Sequence, residues 1–333
     1  MATTPWMAQC LRVVFHWAPH WDEVVEYWEA RKFGEKVFPG IRTAALVFRQ
    51  DAGGLFEGKT WERHRAEGTL LCGTGGGPHD EHAFGSEDRK QGECGATLMA
   101  KFLGIENDRA LSKILSYTLE NDTRASHDSF MDLAAALRED HLYSRFSPEE
   151  IVFTYMNHLE SFYQKQINFW KAEEEIKNAR ITRVNVDGRH YVIVTAITMN
   201  PEFSRFARSQ FGVSASVVIQ KGSPGINNMQ VFFNQAAGIN TVNIAGAIRW
   251  REAELAGRKI PQTAEDFAEL AREGSVSFAP EWYYVWGNLL NGSHTAVGIP
   301  PTRIPLDEIR ELVILALTGG RKPTSIKKLG RAA

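Results

Sequence analysis

The residues best equipped for chemistry come early, in the stretch FHWAPHWDE that begins at Phe15. His16, His20 and Asp22 stand at i, i+4 and i+6, between an apolar run and a helical pattern. Imidazole and carboxylate together are common ligands for manganese, iron or zinc, and a loop leaving a strand end can aim all three into one cleft. Taken alone, packing beside Trp17 and Trp21 accounts better for the two histidines. A second cluster is GTGGGPHDEH, residues 73–82. Its glycines allow close backbone approach, and the N–H groups of Gly75, Gly76 and Gly77 suit phosphate oxygens. Asp80 and His82 follow at once, placed to act as ligands or as acid and base. No Gly-Lys-Ser/Thr follows, so this is not a Walker loop; Pro78 stands where a dinucleotide fingerprint would open a helix. A solvated surface turn is the plain alternative. The third cluster is Glu120-Asn121-Asp122-Thr123, where a helix ending in turn-forming residues is the ordinary explanation. Together the clusters put histidines and carboxylates at the ends of successive elements of one sheet. The expected ligand set for a divalent cation is therefore His16, His20, Asp22, Asp80 and Asp122.

The elements that would position these groups are legible from periodicity. Residues 11–15 (LRVVF), 43–48 (TAALVF) and 69–72 (TLLC) read as short buried strands. Helical patterns start at Asp22 and cover 93–103, 109–119 and about 130–139. Strands alternating with helices predict a parallel sheet, whose sites form where loops leave the carboxyl ends of strands. Ser147-Pro148-Glu149-Glu150 is a helix start with a capping box, and helical character persists to about Asn178. Beyond it, ITRVNVDGRHYVIVTAI predicts a hairpin turning at Asp187-Gly188. VSASVVIQ and MQVFF add strands; 241–255, 264–272 and 306–317 add helices. The reading is an α/β chain with a parallel-sheet domain over 1–147 and a connecting helix over 148–178. A smaller α+β substrate domain follows over 179–322, then a frayed basic tail over 323–333.

A strand followed by H-x3-D/H-x-D resembles the opening motif of the DHH phosphoesterase superfamily, with His16, His20 and Asp22 in the ligand positions. The second histidine and the following Asp-Glu resemble the melanocyte proliferating gene family, DHH-like proteins described as exonucleases or metal-dependent hydrolases. The resemblance runs in order along nearly the whole chain. The stretch 71–76 matches a strand ending in V-D-x-G-G, and His79-Asp80-Glu81-His82 matches a Phe-Asp-His-His signature. A small-residue helix (ECGATLMAKFLG) follows, and Asp122 stands at the family's later Asp. Asn291-Gly292-Ser293-His294-Thr295 is placed like its glycine-rich substrate loop. The resemblance implies a manganese-type cation, a phosphodiester or phosphoanhydride substrate, and a second domain gripping it through Asn291, Gly292, Ser293, His294 and Arg303. Two departures stand out: the family's strand-end Asp is replaced around Cys72-Gly73, and the middle letter of Asp-His-His is Glu81. Without a bridging carboxylate two cations repel strongly, so Asp80 or Glu81 takes over the bridge, or the centre holds one ion, or none. The competing expectation is a degenerate relative that binds a nucleotide or nucleic-acid end without cleavage.

Composition bounds these readings. The 333 residues are 43% hydrophobic and 23% charged, an ordinary globular balance whose length favours two domains. A formal charge of -2 offers no global basic field for long duplex nucleic acid but does not exclude a small nucleotide or a local basic groove; the partner that the resemblance implies is a phosphorylated small molecule or a nucleic-acid end. A homodimer is compatible with this. Cys10, Cys72 and Cys94 have no metal-type spacing and an odd count, so a reducing cytoplasm is the expected setting. Cys72 beside the glycine loop has no paired histidine, and packing is favoured over nucleophilic work. The N-terminus lacks a leader pattern, and no run reaches the length of a membrane span. Trp282, Tyr283, Tyr284 and Trp286 could mark an interaction surface but read better as a core strand.

Overall fold

Val13, Val14 and Phe15 are wholly shielded from solvent, and this apolar run forms the middle strand of the first sheet. The computed structural model describes residues 6–50, 55–81, 92–124, 132–222, 229–259, 262–292, 298–320 and 325–328. In chain order, β1 (Arg12–His16) leads into α1 (Trp21–Phe33), β2 (Ala45–Arg49), α2 (Trp61–Ala66) and β3 (Thr69–Leu71). Four helices follow: α3 (Gly95–Leu103), α4 (Ser112–Arg124), α5 (Leu133–Tyr143) and the long α6 (Pro148–Glu175). The three strands pair in parallel in the order β2-β1-β3, with Val14 opposite both Val47 and Leu71. Alternation along β1 gives each face its own partner. Val14, Val47 and Leu71 pack with Phe56 and Trp61 on one side. Phe15 meets Tyr27 of α1 edge-to-face on the other, ring centroids 5.4 Å apart. The helix α1 is buried along its first ten residues and packs against α3 and α4, so it is a core helix with no solvated face there.

The chain divides into two compact units, Met1–Ile167 and Asn168–Ala333. The division falls inside α6, and the two units are nearly equal in length. The start of α6 follows the sequence rules: Ser147 Oγ accepts from the Glu150 N–H at 3.3 Å, and Glu150 Oε2 accepts from the Ser147 N–H at 2.7 Å.

The second unit holds β4 (Arg180–Val186), β5 (Arg189–Ile197), α7 (Phe203–Arg208), β6 (Val217–Lys221), β7 (Met229–Phe233) and α8 (Thr241–Leu255). It continues with α9 (Ala264–Leu270), β8 (Tyr283–Val285), β9 (Asn288–Asn291), α10 (Leu306–Thr318) and β10 (Ser325–Lys328). Its seven strands run in the order β10-β4-β5-β6-β7-β9-β8, and only β5 and β6 pair in parallel. The β4–β5 hairpin turns at Asp187-Gly188 with φ of 50° and 81°, the pair of positive values a type I′ turn requires. One face of the sheet packs on α8 and α10 through Ile244, Ile248, Ile309 and Val313. The other packs on α7 and the end of α6 through Phe203, Phe206, Phe169 and Ala172. Strand β8 buries Tyr284 and exposes Tyr283, as an edge strand does, while of the flanking residues Trp282 is buried and Trp286 exposed. The basic tail is corrected in part: Ser325–Lys328 is not frayed but pairs antiparallel with β4. The unpaired N–H and C=O groups of β4's outer edge offer such a segment a ready template. Among the described residues no helix is long and apolar enough to cross a membrane.

Candidate metal centre

The geometry begins where β1 passes into α1. Trp21, first residue of the helix, is buried and donates from Nε1 to Thr118 Oγ1 of α4 at 3.0 Å. This bond pins the start of α1 against α4. Asp22 follows Trp21, and Asp122 stands one turn beyond Thr118, so the same docking brings the two carboxylates face to face. Glu81 arrives from the segment after β3. Its neighbour His79 is buried among Trp6, Phe38 and Phe102, with ring centroids 5.7, 6.2 and 4.5 Å away. That aromatic box fixes the backbone from which Asp80 and Glu81 project. Asp22, Glu81 and Asp122 each place an oxygen within 4.8 Å of the other two; the first two are buried and the third is half-buried.

The expected ligand set is therefore only partly assembled. The structure brings Asp22 and Asp122 together, and of the two alternatives for the bridge it is Glu81, not Asp80, that stands with them. Asp80 Oδ2 instead accepts the Gly76 N–H at 2.8 Å. His16 and His20 stack with ring centroids 5.9 Å apart but do not belong to the carboxylate group. The reason is local: Glu23 Oε1 takes both the backbone N–H of His16, at 3.2 Å, and its Nδ1, at 2.9 Å. Its Oε2 accepts the His20 N–H at 2.7 Å. Glu23 thus ties the turn to the helix and leaves Nε2 as the ring nitrogen of His16 open to a ligand. The same bond holds the His16 imidazolium above its usual range, while burial pulls the other way. His20 is exposed. His82 lies outside the described residues.

Sequence reading missed the acidic stripe of α1. Asp22, Glu26 and Glu29 stand at i, i+4 and i+7, one helical face, and all three are buried together with Glu23. The spacing was visible in WDEVVEYWE, but acidic residues at such intervals ordinarily mark a solvated face. Burial raises the Asp22 carboxyl well above its ordinary value, reinforced by Glu23, Glu81 and Asp122. Glu26 is raised likewise, by burial first and then by Asp22, Glu23, Glu81 and Asp80. Two unit charges 4.8 Å apart repel by up to about 3.5 kcal/mol at an effective dielectric of about 20. Such a group calls for protons or a cation, and its all-oxygen donor set matches hard ions of the magnesium and manganese type.

The glycine loop is partly engaged already. Gly73, Gly75 and Gly76 have φ of 56°, 79° and 74°, conformations that only glycine adopts freely. The Gly73 N–H is held by Glu26 Oε2 at 3.0 Å and that of Gly76 by Asp80, so two amides face the protein's own carboxylates. Cys72 is buried, and burial, followed by Glu26, pushes its thiol well up, which favours packing over nucleophilic work. A cavity of about 400 Å³ is lined by Trp21, Ile114, Tyr117, Leu133, Leu159 and Phe162 among others. In the second unit Asn291 is buried. Its Nδ2 donates to the carbonyls of Glu281, at 2.8 Å, and Pro300, at 2.9 Å. Its Oδ1 accepts the Thr302 N–H at 3.1 Å, so the amide expected to grip substrate is occupied in holding the chain after residue 298. Arg303 reaches Glu281 at 2.8 Å and Glu252 at 3.5 Å. Gly292 has φ of 74°, and Ser293 and His294 lie outside the described residues.

Compared with known proteins, the chain matches no family model, no curated protein and no solved structure.

Proposed function

We propose that the amino-terminal unit binds a divalent cation, best manganese, and hydrolyses a phosphodiester or phosphoanhydride of a nucleotide or nucleic-acid end. The observation that carries the reading is the convergence of Asp22, Glu81 and Asp122 within 4.8 Å, from three separate segments. The buried carboxylates fit a hard cation because nothing else in their donor set is soft. When bound, such an ion supplies Lewis-acid polarisation of the phosphoryl oxygen and an acidified water. The protein's own groups do the rest. Asp22, Glu81 and Asp122 orient the ion, and Glu23 holds His16 for proton transfer at Nε2. In the loop after β3 the Gly73 and Gly76 amides are held by Glu26 and Asp80, which leaves those of Gly75 and Gly77 for phosphate oxygens, and the cavity lined by Trp21 suits an apolar or aromatic part of the substrate.

Metal analysis of protein purified without added ions, followed by manganese titration and a panel of phosphodiesters and dinucleotides, tests this. Stoichiometric manganese and turnover of at least one diester are expected; neither metal binding nor turnover would sink the reading. A second reading, a cation-bound protein that holds its ligand uncleaved, is favoured by one observation. The strand end at Gly73 carries no carboxylate, and two loop amides are already bonded to Glu26 and Asp80. Tight binding of a non-hydrolysable phosphodiester without turnover of its cleavable counterpart would favour that reading.

A further inference from the structure

Gly73 stands two residues beyond the end of β3, and a carboxylate meets it there, delivered from α1. Glu26 is fully shielded from solvent; its Oε2 accepts the Gly73 N–H at 3.0 Å. Its Oε1 is also buried and has no hydrogen-bond partner among the described residues. Unsatisfied buried carboxylate oxygens are rare because the lost hydration is costly.

Glu26 stands beside the 4.8 Å trio rather than within it, and a second glycine shows how near its carboxylate comes to Asp22. A methyl group added to Gly95, at the start of α3, would lie 2.8 Å from Glu26 Oε2 and 3.4 Å from Asp22 Oδ2. Both side chains therefore reach the same point, in space that a Cβ on α3 would close. One turn of helix separates Glu26 from Asp22 on α1, which makes the convergence a consequence of i, i+4 spacing. After burial, the groups that act most on Glu26 are Asp22, Glu23, Glu81 and Asp80, all carboxylates, and the Cys72 thiol also reaches it. Glu29, another turn along, supplies the contrast. It is equally buried and both its oxygens lack partners among the described residues, but burial alone perturbs it and no carboxylate neighbour contributes.

We propose that Glu26 is a ligand of the cation held by Asp22, Glu81 and Asp122, its carboxylate oriented by the Gly73 N–H. The inference rests on the cation reading given above and adds a fourth protein carboxylate to it. It also assigns a purpose to two glycines: Gly73 supplies the amide that orients Glu26, and Gly95 leaves room for the carboxylate to lie beside Asp22.

Isothermal titration of the metal-stripped full chain with manganese chloride tests it, alongside the electron paramagnetic resonance spectrum of the bound ion. Glu26→Gln keeps the shape and the Gly73 bond but removes the charge. It is expected to weaken manganese binding at least tenfold and to change the spectrum. Glu29→Gln is the control, expected to bind within twofold of the parent with an unaltered spectrum. Both variants are expected to raise the thermal midpoint of the metal-free chain, a structural effect that does not separate them. Glu26→Asp, which retracts the carboxylate by one methylene, provides a second variant should the glutamine form misfold; it too is expected to bind more weakly. Parent-like affinity and spectrum in Glu26→Gln or Glu26→Asp would overturn the role of Glu26 and leave the cation centre standing. No manganese binding by the parent chain overturns the cation reading itself.

Discussion

Asp22 and Asp122 reach one point from two helices. Asp122→Asn is expected to lower manganese affinity at least tenfold, or about 1.4 kcal/mol, in a calorimetric titration. Unchanged affinity would remove Asp122 from the centre. Gly73 is equally demanding. Its φ of 56° disfavours any side chain, and a Cβ there would lie 2.6 Å from Glu23 Cγ. Gly73→Asp is therefore expected to destabilise the fold by about 1–2 kcal/mol from the backbone alone, more once Glu23 is displaced, read as a lowered urea midpoint. Placing a carboxylate at the end of β3 thus needs Glu23 to be shortened as well. At this scale the sequence showed Asp22 and Asp122 as candidates because carboxylates at element ends are conspicuous. It hid Glu26, since a glutamate within a helix ordinarily faces water.

The helices that carry these groups owe their ends to local signals. Ser147 and Glu150 cap α6 reciprocally on an exposed surface, so their contribution separates from core packing. Ser147→Ala is expected to cost about 1 kcal/mol, observed as a thermal midpoint lower by about 2–4 °C. The α1 start is of another kind. Its first turn carries Asp22 and Glu23, which complement the helix dipole, but what places it is the buried bond from Trp21 to Thr118, 97 residues away in sequence. Hairpin and cap chemistry is short-range and was read correctly at Asp187-Gly188 and at Ser147. The pairing of 325–328 with β4 was not, because a polar tail acquires a partner only when a sheet edge is left open beside it.

For the molecule as a whole, burying several carboxylates ties stability to pH and to cations. Asp22, Glu26 and Glu29 are all shifted upward, with burial the largest cause in each. Above the ordinary carboxylate range near about 4 the folded chain then holds protons that the unfolded chain has released. Stability contributed by these groups is accordingly lost as pH rises from that range through the raised values. Glu29→Gln is expected to raise the thermal midpoint of the metal-free chain at pH 8 by at least about 2 °C and to change it less at pH 5. An equal gain at both pH values would count against a buried, shifted Glu29. Manganese at about a hundredfold excess over its dissociation constant is expected to stabilise the folded chain by about 2.7 kcal/mol, visible as a raised midpoint.

Most of the strands and helices, the β4–β5 turn, the cap of α6 and the candidacy of Asp22 and Asp122 follow from residues near each other in the chain. Dihedral preference, capping and hydrophobic period act over a few residues, so sequence alone determines them. Tertiary structure decided which carboxylates share a point. Glu81 rather than Asp80 completes the trio, His16 is drawn back onto Glu23, and Glu26 is buried against Gly73 and Gly95. Those outcomes depend on distances between α1, α4 and the segment after β3. Side chains far apart in sequence approach only when the packing of separate elements leaves them the same small volume.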